Sequence, residues 1–350
     1  MAKEARHVTL YREYRPQSFA EVRGQEQVTE TLEKAIKNER VAHAYLFAGS
    51  RGTGKTSVAR ILAKALGTSD KDLYEIDAAS NTGVDNIREL REGVQTTPFD
   101  SKYKFYIIDE AHMLSRQAWN ALLKTIEEPP PHAIFVFATT ERDKVPETIQ
   151  SRCEVYTFKQ PTREILSQAV ENVAKKEGYS LERSAAELIA LLSEGSFRDA
   201  LSILQKVLAV SRDKKVDLAE VEAVSGAPRG ELIRQLLSGI AKKDATMALG
   251  AIREAVEQNL DARILTKLLI HRMRVVLLMR YAPDLAQEFA KEISDEDAVL
   301  AKEISKERGV NSDTLRALLD AYSAMAYAAV PHLPLELAVV DICEKADKSA

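Results

Sequence analysis

A glycine-rich segment constrains this chain more than any other feature of its sequence. Residues 49–56 read GSRGTGKT, which fits the phosphate-binding pattern G-x-x-x-x-G-K-[ST] at every fixed position. A short apolar run over 44–47 precedes the segment, and a helical pattern over 57–66 follows it. Because the pattern needs a strand before it and a helix after it, this context argues against a glycine-rich turn that matches by chance.

The residue types of this segment suit the binding of a nucleoside triphosphate. Glycines let the backbone turn tightly and aim its N–H groups at one point, where the following helix adds partial positive charge. Lys55 is placed to reach the terminal phosphates, and the Thr56 hydroxyl is placed to bind magnesium. The predicted nucleotide-binding residues of the segment are Gly49, Ser50, Arg51, Gly52, Thr53, Gly54, Lys55, Thr56 and Ser57.

Two adjacent acids form a second motif. The apolar run 105–108 ends in Asp109 and Glu110. Because side chains alternate along a strand, the two carboxylates are expected to have different tasks. Asp109 is predicted to hold magnesium and Glu110 to orient the attacking water. Capping of the next helix is the alternative, which the phosphate-binding segment upstream disfavours. His112 is expected to be structural, because magnesium prefers oxygen ligands.

The first part of the chain alternates strand-like and helix-like segments, which is typical of a doubly wound α/β domain. The predicted strands are short and apolar, as in a parallel sheet that is buried on both faces; they are 44–47, 73–76, 105–108, 134–138 and 155–158. The accompanying predicted helices are 28–37, 57–66, 84–94 and 116–127. Ligands of such sheets bind at the carboxyl ends of the strands. Gly49, Asp77, Asp109 and Thr140 all follow a predicted strand, so we expect them to meet at one sheet edge.

Beyond a turn at residues 160–162, the sequence has helical periodicity almost throughout. A second linker is expected at 225–228, which contains glycine and proline. The sequence therefore predicts an α/β nucleotide-binding domain over 1–160 and all-α domains over 161–225 and 226–350. The 350 residues of the chain are enough for each domain to have its own core.

Composition limits the partners of the chain. A net charge of −4 means that the molecule as a whole is not a polybasic nucleic-acid binder, so any DNA contact needs a local patch.

Cys153 and Cys343 lie in different predicted domains without metal-type spacing, which predicts a reducing compartment and neither disulfides nor a zinc site. The segment 1–7 has no apolar core and the apolar cluster 275–279 is short, so we expect neither a signal peptide nor a membrane span.

Three further polar residues are candidates for the same site. Thr140 either bonds the terminal phosphate or the attacking water, or is an ordinary threonine at a strand end. Arg152 is either a surface residue or the late arginine with which phosphoryl-transfer proteins stabilise transition-state charge, sometimes from a neighbouring subunit. Arg198 falls in the first turn of a predicted helix, where a cation opposes the helix dipole. Its compensating anion is either Asp199 or a bound phosphate.

Together these residues resemble the AAA+ ATPases, and more closely their clamp-loader branch, with the greatest likeness to the gamma/tau family of bacterial DNA polymerase III. The likeness covers nearly the whole chain. It is carried by YRP at 14–16 with Phe19, Val22, Gly24 and Gln25, HAYLF at 43–47, EIDAAS at 75–80, MLS at 113–115, NALLK at 120–124, EEPP at 127–130, SRC at 151–153, FRDAL at 197–201 and LPLEL at 333–337.

The resemblance implies a fold and assigns roles. It implies an AAA+ P-loop domain with a parallel sheet, a small helical lid over 161–225, and a C-terminal helical collar over 226–350 that holds five subunits in a ring. Thr140 falls at the first sensor, Arg152 at the arginine finger that acts on the ATP of an adjacent subunit, and Arg198 at the second sensor. The implied catalytic residues are Lys55, Asp109, Glu110, Thr140, Arg152 and Arg198; the implied magnesium ligands are Thr56 and Asp109; the implied adenine contacts are Tyr11, Arg15, Pro16 and Val22.

The resemblance also implies a cytoplasmic ATPase, dependent on assembly and DNA, that opens a sliding clamp with its partner subunits and loads it on primer–template DNA. Asn81, Arg88 and Arg91 are candidates for DNA phosphate contacts, or are solvated polar residues. A non-hydrolysing scaffold subunit of the loader, or another AAA+ DNA remodeller such as a Holliday-junction helicase subunit, is the alternative. The family usually carries a four-cysteine zinc module after the phosphate-loop helix; here 66–73 bridges that gap without cysteine, so no zinc is expected.

Overall fold

The computed structural model of the protein describes residues 9–80, 84–285, 293, 295–307 and 309–344. The chain divides into two compact units. The first comprises Met1–Val173 and Ser193–Gln205, and the second comprises Ala174–Leu192 and Lys206–Ala350. The three-domain division with boundaries near residues 160 and 225 stays a prediction.

A five-stranded parallel sheet forms the centre of the first unit. Its strands are β1 Ala44–Ala48, β2 Leu73–Asp77, β3 Lys104–Asp109, β4 Ala133–Thr139 and β5 Glu154–Thr157, in the spatial order β2-β3-β4-β1-β5. The predicted strands are confirmed to within one residue at each end. In this order β4 lies between β1 and β3, and the register sets Asp77 opposite Asp109 at the ends of β2 and β3.

Helices cover both faces of this sheet. They are α2 Glu26–Lys37, α3 Lys55–Ala65, α4 Val84–Gln95, α5 Arg116–Glu127 and α6 Glu147–Gln150. The first unit also contains α1 Leu10–Glu13 and the residues of α7 Arg163–Lys176 and α9 Phe197–Val210 up to Val173 and Gln205. Alternate residues of β3 face opposite ways: Phe105 packs in the cluster that contains Leu62 of α3, whereas Tyr106 packs in the cluster that contains Leu122 of α5. This is the doubly wound α/β arrangement that the alternating sequence predicts.

The prediction that every strand is buried on both faces is wrong for the two edge strands. All residues of β1 and β4 are buried, whereas β2 and β5 contain no residue that is fully buried. Tyr74 of β2 is 38% exposed. An edge strand has a neighbour on one side only, and the flanking helices cover the middle of a twisted sheet better than its margins.

The described part of the second unit is almost entirely helical. Its helices are α8 Arg183–Leu192, α10 Leu218–Ser225, α11 Gly230–Lys242, α12 Ala245–Glu257, α13 Ala262–Tyr281, α14 Asp295–Ile304, α15 Ser312–Ala324 and α16 Leu333–Glu344. One continuous apolar core joins α11, α12, α13 and α16, with Leu236, Ile252, Leu269 and Val339 fully buried in it. A short parallel pair, β6 Ser180–Leu181 and β7 Lys215–Val216, is the exception to the helical pattern. Within the described ranges, the longest apolar helical stretches fall short of what a membrane crossing requires.

A buried carboxylate organises the loop that leads into β3. Asp72 is fully buried, and its side chain accepts hydrogen bonds from the backbone N–H groups of Phe99 at 2.6 Å and of Asp100 and Ser101 at 2.9 Å. Burial by itself raises the pKa of Asp72, but these hydrogen bonds outweigh burial and lower the pKa to about 2. The folded protein therefore holds this residue as a carboxylate.

Asp72→Asn is expected to lower the free energy of unfolding at pH 7 by about 2 kcal/mol, because an amide turns its own N–H group toward donors that need a charged acceptor. The folded pKa of about 2 lies below the ordinary value of 3.8, so the contribution is present above pH 4 and is lost as the pH falls toward 2. Urea unfolding of both proteins between pH 7 and pH 3 measures this difference. The exposed neighbour Asp70 provides the control substitution Asp70→Asn; equal urea midpoints for Asp72→Asn and wild type at pH 7 would contradict the prediction.

Candidate nucleotide-binding site

The glycine-rich loop follows β1 and meets the start of α9. Gly52 has a left-handed backbone with φ of 74°, and a Cβ atom at this position would lie 2.0 Å from the Ser196 Oγ atom. The backbone N–H of Phe197 donates to the Gly52 carbonyl oxygen at 3.1 Å. Both the backbone angle and the close approach require glycine here. The loop is therefore in direct contact with the residues that precede Arg198.

Lys55 is the first residue of α3 and is 6% exposed. Its Nζ atom donates to the carbonyl oxygens of Gly49 at 2.7 Å and Ser50 at 2.9 Å. Burial lowers the pKa of the Lys55 ammonium, although the carboxylates of Glu110 and Asp109 act in the opposite direction. The loop thus encloses a desolvated ammonium group, which is suited to binding phosphate oxygens.

Thr56 and Asp109 bring two oxygen ligands together. The Thr56 hydroxyl donates to Asp109 Oδ2 at 2.7 Å, although these residues lie on α3 and at the end of β3. A hydroxyl and a carboxylate are donors that magnesium prefers in nucleotide sites. The donor chemistry of this pair therefore fits a magnesium ion that also binds phosphate.

Glu110 is held in an unusual backbone conformation directly after β3. Its φ and ψ angles of 49° and 42° are left-handed, which costs a non-glycine residue about 1 kcal/mol or more and is typical of functional sites. Its backbone N–H donates to Asp109 Oδ1 at 3.0 Å. The Thr140 hydroxyl, which follows β4, donates to Glu110 Oε2 at 3.3 Å. Thr140 therefore fixes the Glu110 carboxylate.

His112 links the ends of β3 and β4. Its Nδ1 atom lies 3.1 Å from Thr139 Oγ1 and 3.6 Å from Glu110 Oε2, and its Nε2 atom lies 3.3 Å from Glu141 Oε1. The imidazole side chain is 8% exposed. It lies between the carboxylates of Glu110 and Glu141, which is consistent with a structural task.

Lys55, Thr56, Asp109 and Glu110 border a cavity of about 440 Å³ in the first unit, whereas Gly49, Ser50 and Thr140 are not among its lining residues. Its lining includes most of the predicted site: Tyr11, Arg15, Pro16, Val22, Arg51, Gly52, Thr53, Gly54, Lys55, Thr56, Ser57, Asp109, Glu110 and Arg198. Asp77, which was expected at this sheet edge, and Tyr14 of the YRP motif also line it. The lining residues that the sequence did not predict are Glu21, Arg23, Ala169, Val173, Phe197 and Leu201. Ala169–Val173 and Phe197–Leu201 are pairs at i, i+4 spacing on α7 and α9. Helical periodicity therefore indicated apolar faces there, but not what those faces cover.

Arg198 is the second residue of α9 and borders the cavity. The α9 N-terminus is capped by Ser196, whose Oγ atom accepts from the Asp199 backbone N–H at 3.2 Å. Among the described residues, Arg198 makes no ion pair with Asp199; its guanidinium carbon lies 5.5 Å from the centre of the Tyr11 ring. Asp199 is thus not the compensating anion, and contact of Arg198 with a bound phosphate stays a prediction.

Gln25 is a site residue whose task the sequence did not indicate. It is 3% exposed, and its side chain exchanges two hydrogen bonds with the backbone of Lys159, at 2.6 Å and 3.0 Å. A longer contact of 3.5 Å joins its Nε2 atom to the Thr53 carbonyl oxygen. Gln25 therefore ties the phosphate loop to the segment after β5. The only sequence signal for it was its place in the YRP-containing motif.

Arg152 does not border this cavity. Its Nη2 atom lies 2.6 Å from Glu127 Oε1, and its Nη1 atom donates to the Thr148 carbonyl oxygen at 2.7 Å. The side chain is 37% exposed. Arg152 is therefore a half-exposed surface residue of the first unit.

The predicted DNA contacts are only partly described. Asn81 and the side chain of Arg88 lie outside the described residues, whereas Arg91 is exposed on α4.

Neither cysteine contributes to a metal cluster: within the described ranges, no group of three or more His, Cys, Asp or Glu side chains is arranged to hold a metal ion.

Two family models match the chain. The model described as "DNA polymerase III, delta subunit" matches residues 24–82 and 68–162. The model described as "DNA polymerase III clamp loader subunit, ATPase lid domain" matches residues 165–213.

Curated relatives extend this likeness. The chain is 38% identical to the DNA polymerase III subunit tau of Bacillus subtilis over 97% of its own length and 64% of that protein. It is 38% identical to the gamma/tau subunit of Mycobacterium tuberculosis over 80% of its length and 52% of that protein. It is 39% identical to the tau subunit of Escherichia coli over 77% of its length and 45% of that protein. The chain thus spans from 45% to 64% of the length of these relatives.

Solved structures with a similar fold include the Thermotoga maritima RuvB Holliday junction branch migration motor. The TM-score is 0.53 at 25% identity, over 65% of this chain and 79% of that chain. This likeness is one of overall fold over that part of the chain.

Proposed function

The chain belongs to the clamp-loader family of AAA+ ATPases, and we propose that it binds ATP together with magnesium. It hydrolyses this ATP as a subunit of the bacterial DNA polymerase III clamp loader. In the assembled loader, ATP binding would open a sliding clamp, and hydrolysis would release it on primer–template DNA. The proposal assigns the protein to the cytoplasm of a bacterial cell.

The observation that carries the proposal is the 2.7 Å contact between the Thr56 hydroxyl and Asp109 Oδ2, beside the enclosed Lys55 ammonium. Thr56 and Asp109 are the residues that would hold magnesium. Once bound, the metal ion offsets negative charge on the phosphate oxygens. Lys55 exchanges backbone carbonyls for phosphate oxygens, and the loop N–H groups add further donors.

The remaining site residues have separate tasks in this proposal. Glu110 orients and polarises the attacking water, and the Thr140 hydroxyl keeps its carboxylate in place. Arg198 contacts the terminal phosphate from the start of α9. Arg152, which lies outside its own cavity, acts on the ATP of the adjacent subunit. Turnover should therefore depend on assembly, because each complete site needs residues from two chains.

The proposed partners follow from the family and from exposed surfaces. They are the other loader subunits in a five-membered ring held by residues 226–350, a sliding clamp, and the phosphate backbone of primer–template DNA. Exposed Arg91 on α4 is the described candidate for a phosphate contact. Such contacts are largely independent of base sequence, which suits a protein that acts at any primer end.

Two alternatives compete with this proposal. A non-hydrolysing scaffold subunit of the loader has no need of Lys55, Thr56, Asp109 and Glu110 around one cavity, yet all four line it. Another DNA remodeller has the same fold, as the likeness to RuvB illustrates. The relatives that match over most of the chain are polymerase subunits, which favours the loader.

We expect the chain, assembled with the other loader subunits and a sliding clamp, to hydrolyse ATP faster when primed DNA is added. Lys55→Ala should weaken MgATP binding about a hundredfold, because it removes a charged donor worth up to about 3 kcal/mol. Calorimetric titration with MgATP measures the binding, and phosphate release measures the turnover.

Lys64 is the matched control, because it is exposed on the same helix α3. Lys64→Ala should bind MgATP like the wild type. A wild-type chain that does not bind MgATP would support the scaffold alternative. A chain that hydrolyses ATP but is indifferent to clamp and primed DNA would support another remodeller.

A further inference from the structure

Two contacts join α1 to one face of α9. The Arg198 guanidinium carbon lies 5.5 Å from the centre of the Tyr11 ring, and the Leu10 backbone N–H donates to Gln205 Oε1 at 2.9 Å. Arg198, Leu201 and Gln205 are spaced i, i+3 and i+7, so they share one face of the helix. The N-terminal segment therefore lies along the face of α9 that carries Arg198.

The Arg198 guanidinium is close to the phosphate loop. Ser196, two residues before it, contacts Gly52 of that loop, and the backbone N–H of Phe197, directly before it, donates to the Gly52 carbonyl oxygen at 3.1 Å. Arg198 and Tyr11 both border the cavity. The aromatic ring is therefore beside a cation that borders the same cavity as the phosphate loop.

Arg198 needs a partner of this kind. A cation in the first turn of a helix opposes the helix dipole, and an arginine side chain has many rotamers to lose when it is held in one position. The face of an aromatic ring attracts a guanidinium and limits where it can lie. Tyrosine has few rotamers of its own, so the ring restrains Arg198 at little entropic cost.

We propose that Tyr11 is a positioning residue for Arg198, and that it makes the site favour ATP over ADP. The inference rests on the proposed function, in which Arg198 contacts the terminal phosphate. A residue that positions Arg198 differs from a residue that contacts adenine in one measurable respect. ATP and ADP have the same adenine, so an adenine contact strengthens the binding of both equally. A residue that holds Arg198 in contact with the terminal phosphate strengthens the binding of ATP alone.

The test compares the affinities of the full chain for MgADP and for the magnesium complex of the non-hydrolysable β,γ-imido analogue of ATP, by calorimetric titration. Tyr11→Leu is expected to weaken binding of the analogue about fivefold and to leave binding of ADP within about twofold. Arg198→Ala should give a selective loss of similar or larger size. Tyr11→Phe should retain wild-type selectivity, because it keeps the ring.

Two further variants sharpen the test. In Tyr11→Leu with Arg198→Ala, the loss of selectivity should equal that of Arg198→Ala alone, because both substitutions remove one interaction. Arg12 is the matched control: its guanidinium carbon lies 5.8 Å from the same ring, but it does not border the cavity. Arg12→Gln should therefore leave both affinities unchanged.

The outcomes separate this inference from the function on which it rests. Equal weakening of ADP and analogue binding by Tyr11→Leu would make Tyr11 an adenine contact and overturn the inference. Additive losses in the double variant would overturn it as well. If Arg198→Ala itself leaves selectivity unchanged while Lys55→Ala weakens MgATP binding about a hundredfold, then Arg198 does not contact the terminal phosphate, and that part of the proposed function is wrong.

Discussion

Glu110→Gln is expected to lower ATP turnover of the assembled loader about a thousandfold while leaving MgATP binding within about threefold of the wild type. Glutamine has nearly the same shape, and its amide oxygen can accept the hydrogen bond that Thr140 donates to Glu110. It cannot polarise a water or take its proton. Single-turnover hydrolysis and calorimetric titration measure the two quantities separately.

Glu141 offers the matched control for this substitution. Its carboxylate also lies beside His112, at 3.3 Å from Nε2, but its side chain is 47% exposed and does not border the cavity. Glu141→Gln should therefore keep turnover within about twofold. Normal hydrolysis by Glu110→Gln would contradict the assignment of Glu110 as the residue that orients the attacking water. Loss of MgATP binding by Glu110→Gln would indicate that Glu110 has a structural role instead.

The family and the α/β fold were predictable from sequence because their signals are local. The phosphate-binding segment 49–56 is contiguous and needs only the strand before it and the helix after it. The approach of Asp109 to Thr56 was also predictable, because the carboxyl ends of parallel strands meet at one edge. The comparisons confirm the clamp-loader family, and the sheet confirms the fold class.

The strand order was not predictable from the same signals. β4 lies between β1 and β3, which sets Thr140 beside Glu110, and no local pattern states which strands are neighbours. The exposure of β2 and β5 follows from that order too. Short apolar runs look alike whether they form a central or an edge strand.

The contacts that shape the cavity join residues far apart in the sequence. Gly52 approaches Ser196, Gln25 binds the backbone of Lys159, and Tyr11 faces Arg198. Each depends on how α9 and the N-terminal segment pack within the first unit, which periodicity alone does not determine. The motifs therefore identified the residues of the site more reliably than they identified the contacts that each residue makes.

Arg152→Ala is expected to lower ATP turnover of the assembled loader about a thousandfold or more, with nucleotide affinity of the isolated chain unchanged. The reason is positional. Arg152 lies outside the cavity of its own chain, and its guanidinium is held at the surface by Glu127 and the Thr148 carbonyl oxygen. DNA-stimulated phosphate release by the loader measures the loss. Arg142, which donates a hydrogen bond to Gln150 at the end of α6, two residues before Arg152, is the control residue, and Arg142→Ala should remain near wild type.

Action in trans is separable from action in cis by mixing two inactive variants. Arg152→Ala keeps its phosphate loop, and Lys55→Ala keeps its arginine, so a loader with one of each in adjacent positions contains a complete site between them. Loaders assembled from both variants should therefore recover part of the turnover that neither variant supports alone. If Arg152→Ala is inactive and mixing restores nothing although mixed loaders assemble, Arg152 serves its own chain. In that case the surface contact with Glu127 must open for the arginine to reach its own cavity.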